Sequence, residues 1–306
     1  MPKFCSQTSV DNDSPLYGTA ANAKVWIMLE YSGRWAARAL GDNDLPDRVN
    51  AWLSAQADAI PESRVVFIKQ DSYQPQDTLY IARADADGQV LYRVRFESFE
   101  ALVAVDVAGV LAGDVSAEIV TDPIVLVCTN GKRDQCCAKF GLPTYQALAQ
   151  KMGRNVWQVT HIGGHRYAPT LAVFPAGIYY GHIFVEQTDA LVEAVTNRQV
   201  LLPHYRGRVF QSGPINAADY WLRKEAGEFA EDGLRVEGIA EGNSAEIQTI
   251  QFSDTANAIH SLTIEAGKTE PELASCNKLK YKPAPHYTLL NYSTSEPSRS
   301  SVISAE

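Results

Sequence analysis

The chain has 306 residues, of which 45% are hydrophobic and 21% charged, and its formal net charge at pH 7 is −9. This composition is typical of a soluble globular protein of about two domains. It excludes a disordered chain, a collagen-like fibre and a disulfide-dense miniprotein. Nucleic acids and anionic membranes bind basic surfaces, so an acidic chain without a Lys/Arg block predicts no nucleic-acid partner.

The start of the chain and its cysteines predict a compartment. Residues 1–7 (MPKFCSQ) lack the basic and apolar run of a secretory signal. The most apolar stretch, residues 101–112, contains Asp106 and is too short to cross a bilayer. Five cysteines, an odd number, do not form a disulfide framework. We therefore expect a cytoplasmic protein without membrane insertion, in which clustered cysteines indicate metal or redox chemistry.

Apolar periodicity in the first half predicts an α/β unit. Four apolar runs predict strands, at residues 25–29, 65–68, 79–81 and 90–96. A helix beginning near Pro46 follows the first strand. The last two strands are joined by residues 85–88 (DADG), a sequence typical of a hairpin turn, and a helix over residues 99–107 closes the unit.

The same order of elements recurs in the second half. Its predicted strands are residues 124–127, 156–159, 171–174 and 178–180. A helix over residues 134–152 follows the first of these strands, and Gly141-Leu142-Pro143 predicts a break or kink within it. A helix over residues 190–200 closes this half.

Strand, helix, strand, hairpin, helix is the order of a thioredoxin-like unit, so we predict an α/β fold of two tandem thioredoxin-like domains, residues 1–118 and 119–205. The alternative is an α/β protein of another topology. Residues 206–292 predict a small α+β extension, with a helix around Trp221 and several strands. The Ser-rich residues 293–306 are typical of a disordered tail.

One segment concentrates the side chains that bind metals, in the motifs CTNGKRDQCC and HIGGHRY. Cys128 ends a predicted strand, and Cys136 and Cys137 lie in the first turns of the next helix, where the helix dipole favours thiolates. His161 and His165 follow the next strand. Because sites in open α/β folds form at the carboxyl ends of strands, we expect these cysteines and histidines to lie together.

The donor types leave several kinds of site open. Zinc takes two cysteines and two histidines, but cysteines of structural zinc sites are usually two to four residues apart, unlike Cys128 and Cys137. A [2Fe–2S] cluster spans more space, and two histidines in place of two cysteines is the Rieske substitution. A catalytic disulfide is disfavoured because Cys-x-x-Cys is absent. Buried thiols beside unrelated surface histidines are the remaining alternative.

These two motifs, the start FCSQTSVDNDSPLYGTA and the pair Ser275-Cys276 resemble the signature of the sucrase/ferredoxin-like family. The resemblance covers nearly the whole chain. It implies a thioredoxin-like [2Fe–2S] ferredoxin, whose cluster in yeast members of the family is held by two cysteines and two histidines. The ligands that it implies here are Cys128, Cys137, His161 and His165.

The resemblance places the second cysteine ligand at Cys137 and leaves Cys136 as its alternative. Adjacent helical residues differ by about 100° in direction, so at most one of the two reaches the metal. Cys5 and Cys276 are expected to be packing thiols.

Three charged residues flank the implied ligands. Arg133 and Arg166 are expected to offset the negative charge of the thiolates, and Asp134 to cap the helix that carries Cys137.

The resemblance implies an electron-transfer protein with one [2Fe–2S] cluster, proton-coupled because an imidazole on oxidised iron is more acidic than on reduced iron. Its electron donor and acceptor proteins are not identified by the sequence. The alternative is a thioredoxin-fold interaction module with a structural Cys₂His₂ zinc site. A hydrolase is disfavoured because no carboxylate pair stands in a sugar-binding context, and no Gly-x-Ser-x-Gly motif or P-loop is present.

Overall fold

The computed structural model describes residues 4–71 and 77–295, which form a mixed α/β fold. The helices are α1 Cys5–Asp11, α2 Asp47–Ala59, α3 Phe99–Leu102, α4 Val107–Ala112, α5 Gln135–Met152, α6 Thr188–Thr196 and α7 Gly213–Ala226. Among the described residues, no helix has both the length and the apolar character needed to cross a bilayer.

The strands form one ten-stranded sheet, one four-stranded sheet and one hairpin. The strands are β1 Val25–Glu30, β2 Ser63–Lys69, β3 Thr78–Asp85, β4 Gly88–Arg95, β5 Glu118–Ile119, β6 Ile124–Cys128, β7 Val156–Val159, β8 Leu171–Phe174, β9 Ile178–Tyr180, β10 Tyr205–Arg208, β11 Leu234–Glu241, β12 Ile247–Asp254, β13 Ile259–Lys268, β14 Glu272–Ser275, β15 Lys280–Lys282 and β16 Pro285–Ser295.

The two halves of the chain share the large sheet, whose strand order is β10-β9-β8-β6-β7-β2-β1-β3-β4-β5. Each half begins with two parallel strands, β1 with β2 and β6 with β7, and continues into an antiparallel hairpin. The halves join where β2 and β7 pair antiparallel, with Ile68 opposite Val159. The second half therefore repeats the strand order of the first within one continuous sheet.

This sheet curls so that its two halves face each other. Trp26 of β1 and Phe174 of β8 have ring centroids 5.3 Å apart, although four strand spacings separate them in the sheet, or about 19 Å if it were flat. Strand residues of both halves form the inner apolar core, which also contains Cys128 and Cys137. Helices α2, α5 and α6 pack on the outer faces.

Helix α5 runs unbroken through Pro143, so the predicted break is wrong. A proline inside a helix removes one backbone hydrogen bond and costs about 3 kcal/mol. Burial of one face of α5, including Gly141, Tyr145 and Leu148, offsets that cost. Asp134 begins the helix, because its side chain accepts a hydrogen bond from the N–H of Cys136 at 3.1 Å.

Other boundaries differ from the predicted ones because of local caps and long-range pairing. The closing helix of the first half is two helices, since the side chain of Asp106 accepts from the N–H of Gly109 and begins α4 anew. Strand β10 pairs with β9 beyond the predicted boundary at residue 205. Strand β16 continues to Ser295, within the predicted tail, and residues 296–306 lie outside the described residues.

The start of the chain packs far from the strands that follow it in sequence. Helix α1 contacts β14 and the turn His165–Tyr167. Strands β11, β12, β13 and β16 form an antiparallel sheet whose inner face packs on α7. The C-terminal extension thus contributes both a small sheet with its helix and a hairpin that contacts the start of the chain.

We expect Gly141→Ala to destabilise the fold at the contact between α5 and β6. A Cβ at this position would lie 2.1 Å from the carbonyl oxygen of Cys128, so the helix must move away from the strand. Overpacking of this kind costs about 1–3 kcal/mol, measurable as a lower free energy of unfolding in urea. The control is Gly88→Ala, where a Cβ meets no atom within 4 Å. Equal stability of the two variants would contradict this prediction.

His182 is expected to make the protein less stable in acid. Burial lowers the pKa of His182 to about 4, whereas the unfolded-state pKa is about 6.5. The unfolded chain therefore binds more protons, and stability is complete above pH 6.5 and is lost as the pH falls towards 4, by up to about 3 kcal/mol.

The test is the pH dependence of the free energy of unfolding for His182→Asn, because asparagine tolerates the positive φ of this position, 54°. We expect a shallower slope below pH 6.5 than for the unmodified protein. His286→Gln, at a less buried histidine, is the control and should keep the original slope. An unchanged slope in His182→Asn would show that another group controls the acid response.

Candidate metal centre

Three of the four predicted ligands meet at one edge of the large sheet. Cys128 is the last residue of β6, Cys137 lies in the first turn of α5, and His161 follows β7. The Nδ1 atom of His161 lies 3.9 Å from the Sγ of Cys128 and 3.8 Å from the Sγ of Cys137. All three donor atoms lie within 4.8 Å of one another, and both cysteines are buried.

The topology accounts for this convergence. Strands β6 and β7 are parallel neighbours, so Cys128 and the residues after Val159 emerge at the same edge. Helix α5 begins shortly after β6 and crosses its end closely, because Gly141 leaves room for the carbonyl of Cys128. The first turn of the helix therefore brings Cys137 to the strand end.

His165 lies beside this group of three. Its ring centroid is 5.3 Å from that of His161, and its Nε2 is 3.7 Å from Oδ2 of Asp134. Its Nδ1 is buried and has no hydrogen-bond partner among the described residues. A buried polar atom without a partner is costly, so the lone pair or proton of this nitrogen is free for a further contact.

The two cysteines of the site have opposite pKa shifts. The hydrogen bond from the Cys137 thiol lowers the pKa of Cys128 well below its usual value. The same hydrogen bond, together with burial, raises the pKa of Cys137 well above its usual value. Burial lowers the pKa of His165, although the negative charge of Asp134 opposes this shift. The pair of cysteines therefore favours the thiolate at Cys128 and the thiol at Cys137, and a metal that binds both sulfurs would displace the proton they share.

Hydrogen bonds to the backbone fix the loop that carries the two histidines. The carbonyls of residues 161, 162 and 163 accept hydrogen bonds from Arg64, Tyr179 and Arg206, at 2.9, 2.9 and 3.4 Å. Gly164 has φ +70°, and a Cβ there would lie 2.4 Å from Nη2 of Arg206. The loop is therefore held from its carbonyl side and needs glycine at residue 164, where φ is positive and a Cβ would clash with Arg206.

Arg206 places a buried cation beneath this loop. It is 1% exposed, and its guanidinium carbon lies 4.8 Å from the ring centroid of Tyr167 and 5.3 Å from that of Tyr179. Burial lowers the pKa of Arg206, and negative charge on Cys128 opposes that shift. Thiolate charge at the site and the buried guanidinium thus stabilise each other.

Arg133 lies near both imidazoles. It lines a cavity of about 490 Å³ beside His165, which also contains Lys278 and Lys280, and a second cavity of about 260 Å³ beside His161. The solvent-facing side of the site is therefore basic, although the whole chain is acidic.

Arg166 has a different partner from the expected one. Its guanidinium is buried, pairs with Glu272 at 3.0 Å and donates to the carbonyl of Lys282. It thus joins the histidine loop to the β14–β15 hairpin.

Cys136 points away from Cys137 into a second group of thiols. Its Sγ lies 3.3 Å from the Sγ of Cys5 and 3.3 Å from the Sγ of Cys276. The hydrogen bond with Cys5 lowers the pKa of Cys136 to about 7. The sequence analysis did not predict this group and expected Cys5 and Cys276 to be packing thiols. The available signal was that Cys5 and Cys276 both belong to the motifs that carry the family resemblance.

Part of the chain is similar to three yeast proteins named "Altered inheritance of mitochondria protein 32". Identity is 35% over 102 residues to the protein of Meyerozyma guilliermondii, covering 29% of this chain and 36% of that protein. Identity to the protein of Debaryomyces hansenii is 30% over 107 residues, which cover 31% of this chain and 39% of that protein. Identity to the protein of Clavispora lusitaniae is 30% over 94 residues, which cover 28% of this chain and 34% of that protein. The match thus spans little more than a third of the curated relatives.

These relatives overturn the predicted function. Their names refer to the inheritance of mitochondria, and none of the three is named as an iron–sulfur electron carrier. The prediction of an electron-transfer protein is therefore wrong, and the alternative of a zinc-containing interaction module gains no specific support from them.

The family is shown by a longer match. No solved structure is significantly similar to the chain. The model of the family described as sucrase/ferredoxin-like matches residues 16–207, more than half of the chain, and this range includes β6, α5 and the histidine loop. The chain therefore belongs to the sucrase/ferredoxin-like family.

Proposed function

We propose that this protein is a metal-centre protein whose group is held by Cys128, Cys137, His161 and His165. The observation that carries the proposal is the convergence of two sulfurs and an imidazole nitrogen from three separate elements, within 4.8 Å of one another. Buried thiols and histidines are individually common, but two cysteine sulfurs and an imidazole nitrogen that converge are the donors that Zn and Fe–S groups take.

The donor separations support a shared metal. A tetrahedral zinc ion with Zn–S of about 2.3 Å and Zn–N of about 2.0 Å would place sulfur and nitrogen about 3.5 Å apart. The two observed separations, 3.9 and 3.8 Å, are close to this value. Small inward movements of the three side chains would complete the coordination.

His165 supports a fourth ligand. Its buried Nδ1 has no partner among the described residues, while its Nε2 faces the carboxylate of Asp134. A histidine ligand usually contacts a carboxylate or carbonyl through its second nitrogen, which fixes the ring and raises its basicity. In this arrangement Asp134 is a positioning residue for His165.

For the identity of the group we propose a [2Fe–2S] cluster. Two thiolates and two imidazoles are a known donor set for this cluster. Within the described part of the chain, His165 stands outside the 4.8 Å group of the other three donors, which suits a group with two metal atoms better than a single ion. A single zinc ion on the same residues is the second candidate, favoured by the sulfur–nitrogen separations above.

We also infer that each half of the chain is a thioredoxin-like unit. In support, both halves have the order strand, helix, strand, hairpin, and both pair their first two strands in parallel. For the compartment we propose the cytoplasm, because cysteine ligands bind as thiolates and a reducing environment keeps them available.

We expect replacement of any proposed ligand to remove the group. Protein purified without oxygen should absorb visible light and contain about two irons and two sulfides per chain if the cluster is present. Cys128→Ser, Cys137→Ser, His161→Ala and His165→Ala should lose most of this metal. The measurement is elemental analysis together with the optical spectrum.

Cys276→Ser is the matched control, since it alters a cysteine outside the four ligands. It should retain the absorbing group. A colourless protein from which Cys128→Ser removes one zinc would establish the zinc candidate. Protein without metal after anaerobic purification, or full metal content in Cys128→Ser, would disprove the proposal.

Asp134→Asn should loosen the group through His165 and should also lower the free energy of unfolding, because the buried charge that the other partners of Asp134 meet is lost. Asparagine caps a helix about as well as aspartate, but it lacks the charge that faces His165. Loss of such a partner typically reduces metal affinity 10- to 100-fold. The measurement is the rate at which a chelator removes the group, followed by its absorbance, compared with the free energy of unfolding of the same variant.

Asp106→Asn is the control for this experiment, because Asp106 caps α4 in the same way. It should leave the chelation rate unchanged. If Asp134→Asn altered unfolding but not chelation, Asp134 would have a structural role alone.

A further inference from the structure

We propose that Cys5, Cys136 and Cys276 hold a second metal ion, a zinc ion, with the carboxylate of Asp134 as the fourth donor. This site goes beyond the group proposed above and shares none of its four ligands. The four donor atoms lie within 4.8 Å of one another.

The three thiols come from segments that are distant in sequence. Cys5 is the first residue of α1, Cys136 is the second residue of α5, and Cys276 directly follows β14. Cys136 is separated from Cys5 by 131 residues and from Cys276 by 140. Three sulfurs from three separate segments meeting at one point differ from a local cysteine motif and from a lone buried thiol.

The sulfur separations suit ligands of one ion better than a covalent bond. Both are 3.3 Å, whereas the sulfurs of a disulfide are about 2.05 Å apart. Two thiolates on one tetrahedral zinc, at Zn–S of about 2.3 Å, would be about 3.8 Å apart. The present arrangement needs an expansion of about half an ångström to admit the ion.

A backbone N–H and a helix N-terminus favour negative charge on the sulfurs. The N–H of Cys5 donates to the Sγ of Cys276 at 3.1 Å. Cys136 also lies at the N-terminus of α5, a helix of 18 residues, where partial positive charge favours a thiolate. Hydrogen bonds to sulfur of this kind stabilise the charged form that binds metals.

Asp134 completes a four-donor set. Its Oδ2 accepts from the hydroxyl of Ser275 and the N–H of Cys276, at 3.0 and 2.9 Å. Its Oδ1 accepts from the N–H of Cys136 and lies 3.9 Å from the Sγ of Cys5. A carboxylate oxygen has about two lone-pair positions, so Oδ1 retains one for a metal.

The chemistry of the donors selects zinc. Thiolates favour Zn, Cu(I) and Fe–S clusters, and a carboxylate oxygen is also an ordinary zinc ligand. Closed, four-coordinate sites rich in cysteine are typical of structural zinc. Cys5, Cys136 and Asp134 are fully buried and Cys276 is half-buried, which fits a closed site. Such an ion would tie the start of the chain and the β14–β15 hairpin to α5.

The test is zinc content per chain in the full-length protein, purified without oxygen and without chelator. Cys276→Ser, at the most exposed of the three cysteines, and Cys5→Ser should each contain one zinc fewer than the unmodified protein. Both should keep the metal that Cys128 binds. Cys128→Ser should retain this zinc and lose the group that Cys128 binds. The two proposals can therefore fail independently, and the measurement shows which of them fails.

A second measurement covers the case in which a variant does not fold. The unmodified protein is alkylated with iodoacetamide before and after zinc removal, and the modified cysteines are located by peptide mass. We expect Cys5, Cys136 and Cys276 to react only after removal. Equal reactivity in both states, unchanged zinc in both serine variants, or an intact mass lower by two hydrogen atoms, as for a disulfide, would overturn the proposal.

Discussion

The carboxylate of Asp134 is fully buried, and five groups from four segments of the chain meet it. They are the N–H of Cys136, the hydroxyl of Ser275, the N–H of Cys276, the thiol of Cys5 and the imidazole of His165. Burial of a carboxylate costs several kcal/mol unless such partners are present. Burial raises the pKa of Asp134, but these partners outweigh it and hold the pKa below its usual value. The histidine loop, the start of α5, the start of the chain and the C-terminal hairpin therefore depend on one charge.

The same carboxylate sets the direction of the two cysteines that follow it. As the residue that begins α5, Asp134 fixes the helical phase of Cys136 and Cys137, which differ by about 100°. Cys137 consequently enters the inner core with Cys128, while Cys136 contacts Cys5 and Cys276. One helix start thus orients two groups of thiols.

Local pattern was sufficient to predict much of the large sheet. The predicted strand at residues 156–159 and the predicted hairpin strands at residues 171–174 and 178–180 coincide with β7, β8 and β9. Short segments rich in β-branched and aromatic residues between turn residues usually form strands. Helix α5 differs because the break expected at Pro143 follows from a local cost, whereas its continuation follows from tertiary burial. Short edge strands such as β5 and β14 have too little apolar pattern to be detected from sequence.

In the candidate site too, some contacts can be predicted from local sequence pattern, whereas others depend on residues distant in sequence. The sequence pattern places Cys128 at the end of a strand, Cys137 at the start of the next helix and His161 after the following strand, and side chains at such strand ends are expected to lie together. The partners of Cys136 and Arg166 cannot be predicted from the local pattern, because they lie more than 100 residues away along the chain. Nothing in the spacing of the cysteines distinguishes a packing thiol at Cys5 or Cys276 from a third member of a cluster.

The long sequence separation between Cys5, Cys136 and Cys276 also explains why this second group of thiols matters for stability. Helix α1 has seven residues, too few to be stable by itself, and it is held by contacts with β14 and the turn that carries His165. A link between residues that close a loop of more than 100 residues removes about 5 kcal/mol of chain entropy from the unfolded state in the loop-closure model. A metal bound by Cys5, Cys136 and Cys276 would supply such links at both ends of the chain. Without the metal, α1 and the β14–β15 hairpin are held by the hydrogen bonds of Asp134 and by the buried ion pair of Arg166 and Glu272. Loss of the metal should therefore loosen α1 and this hairpin before the large sheet unfolds.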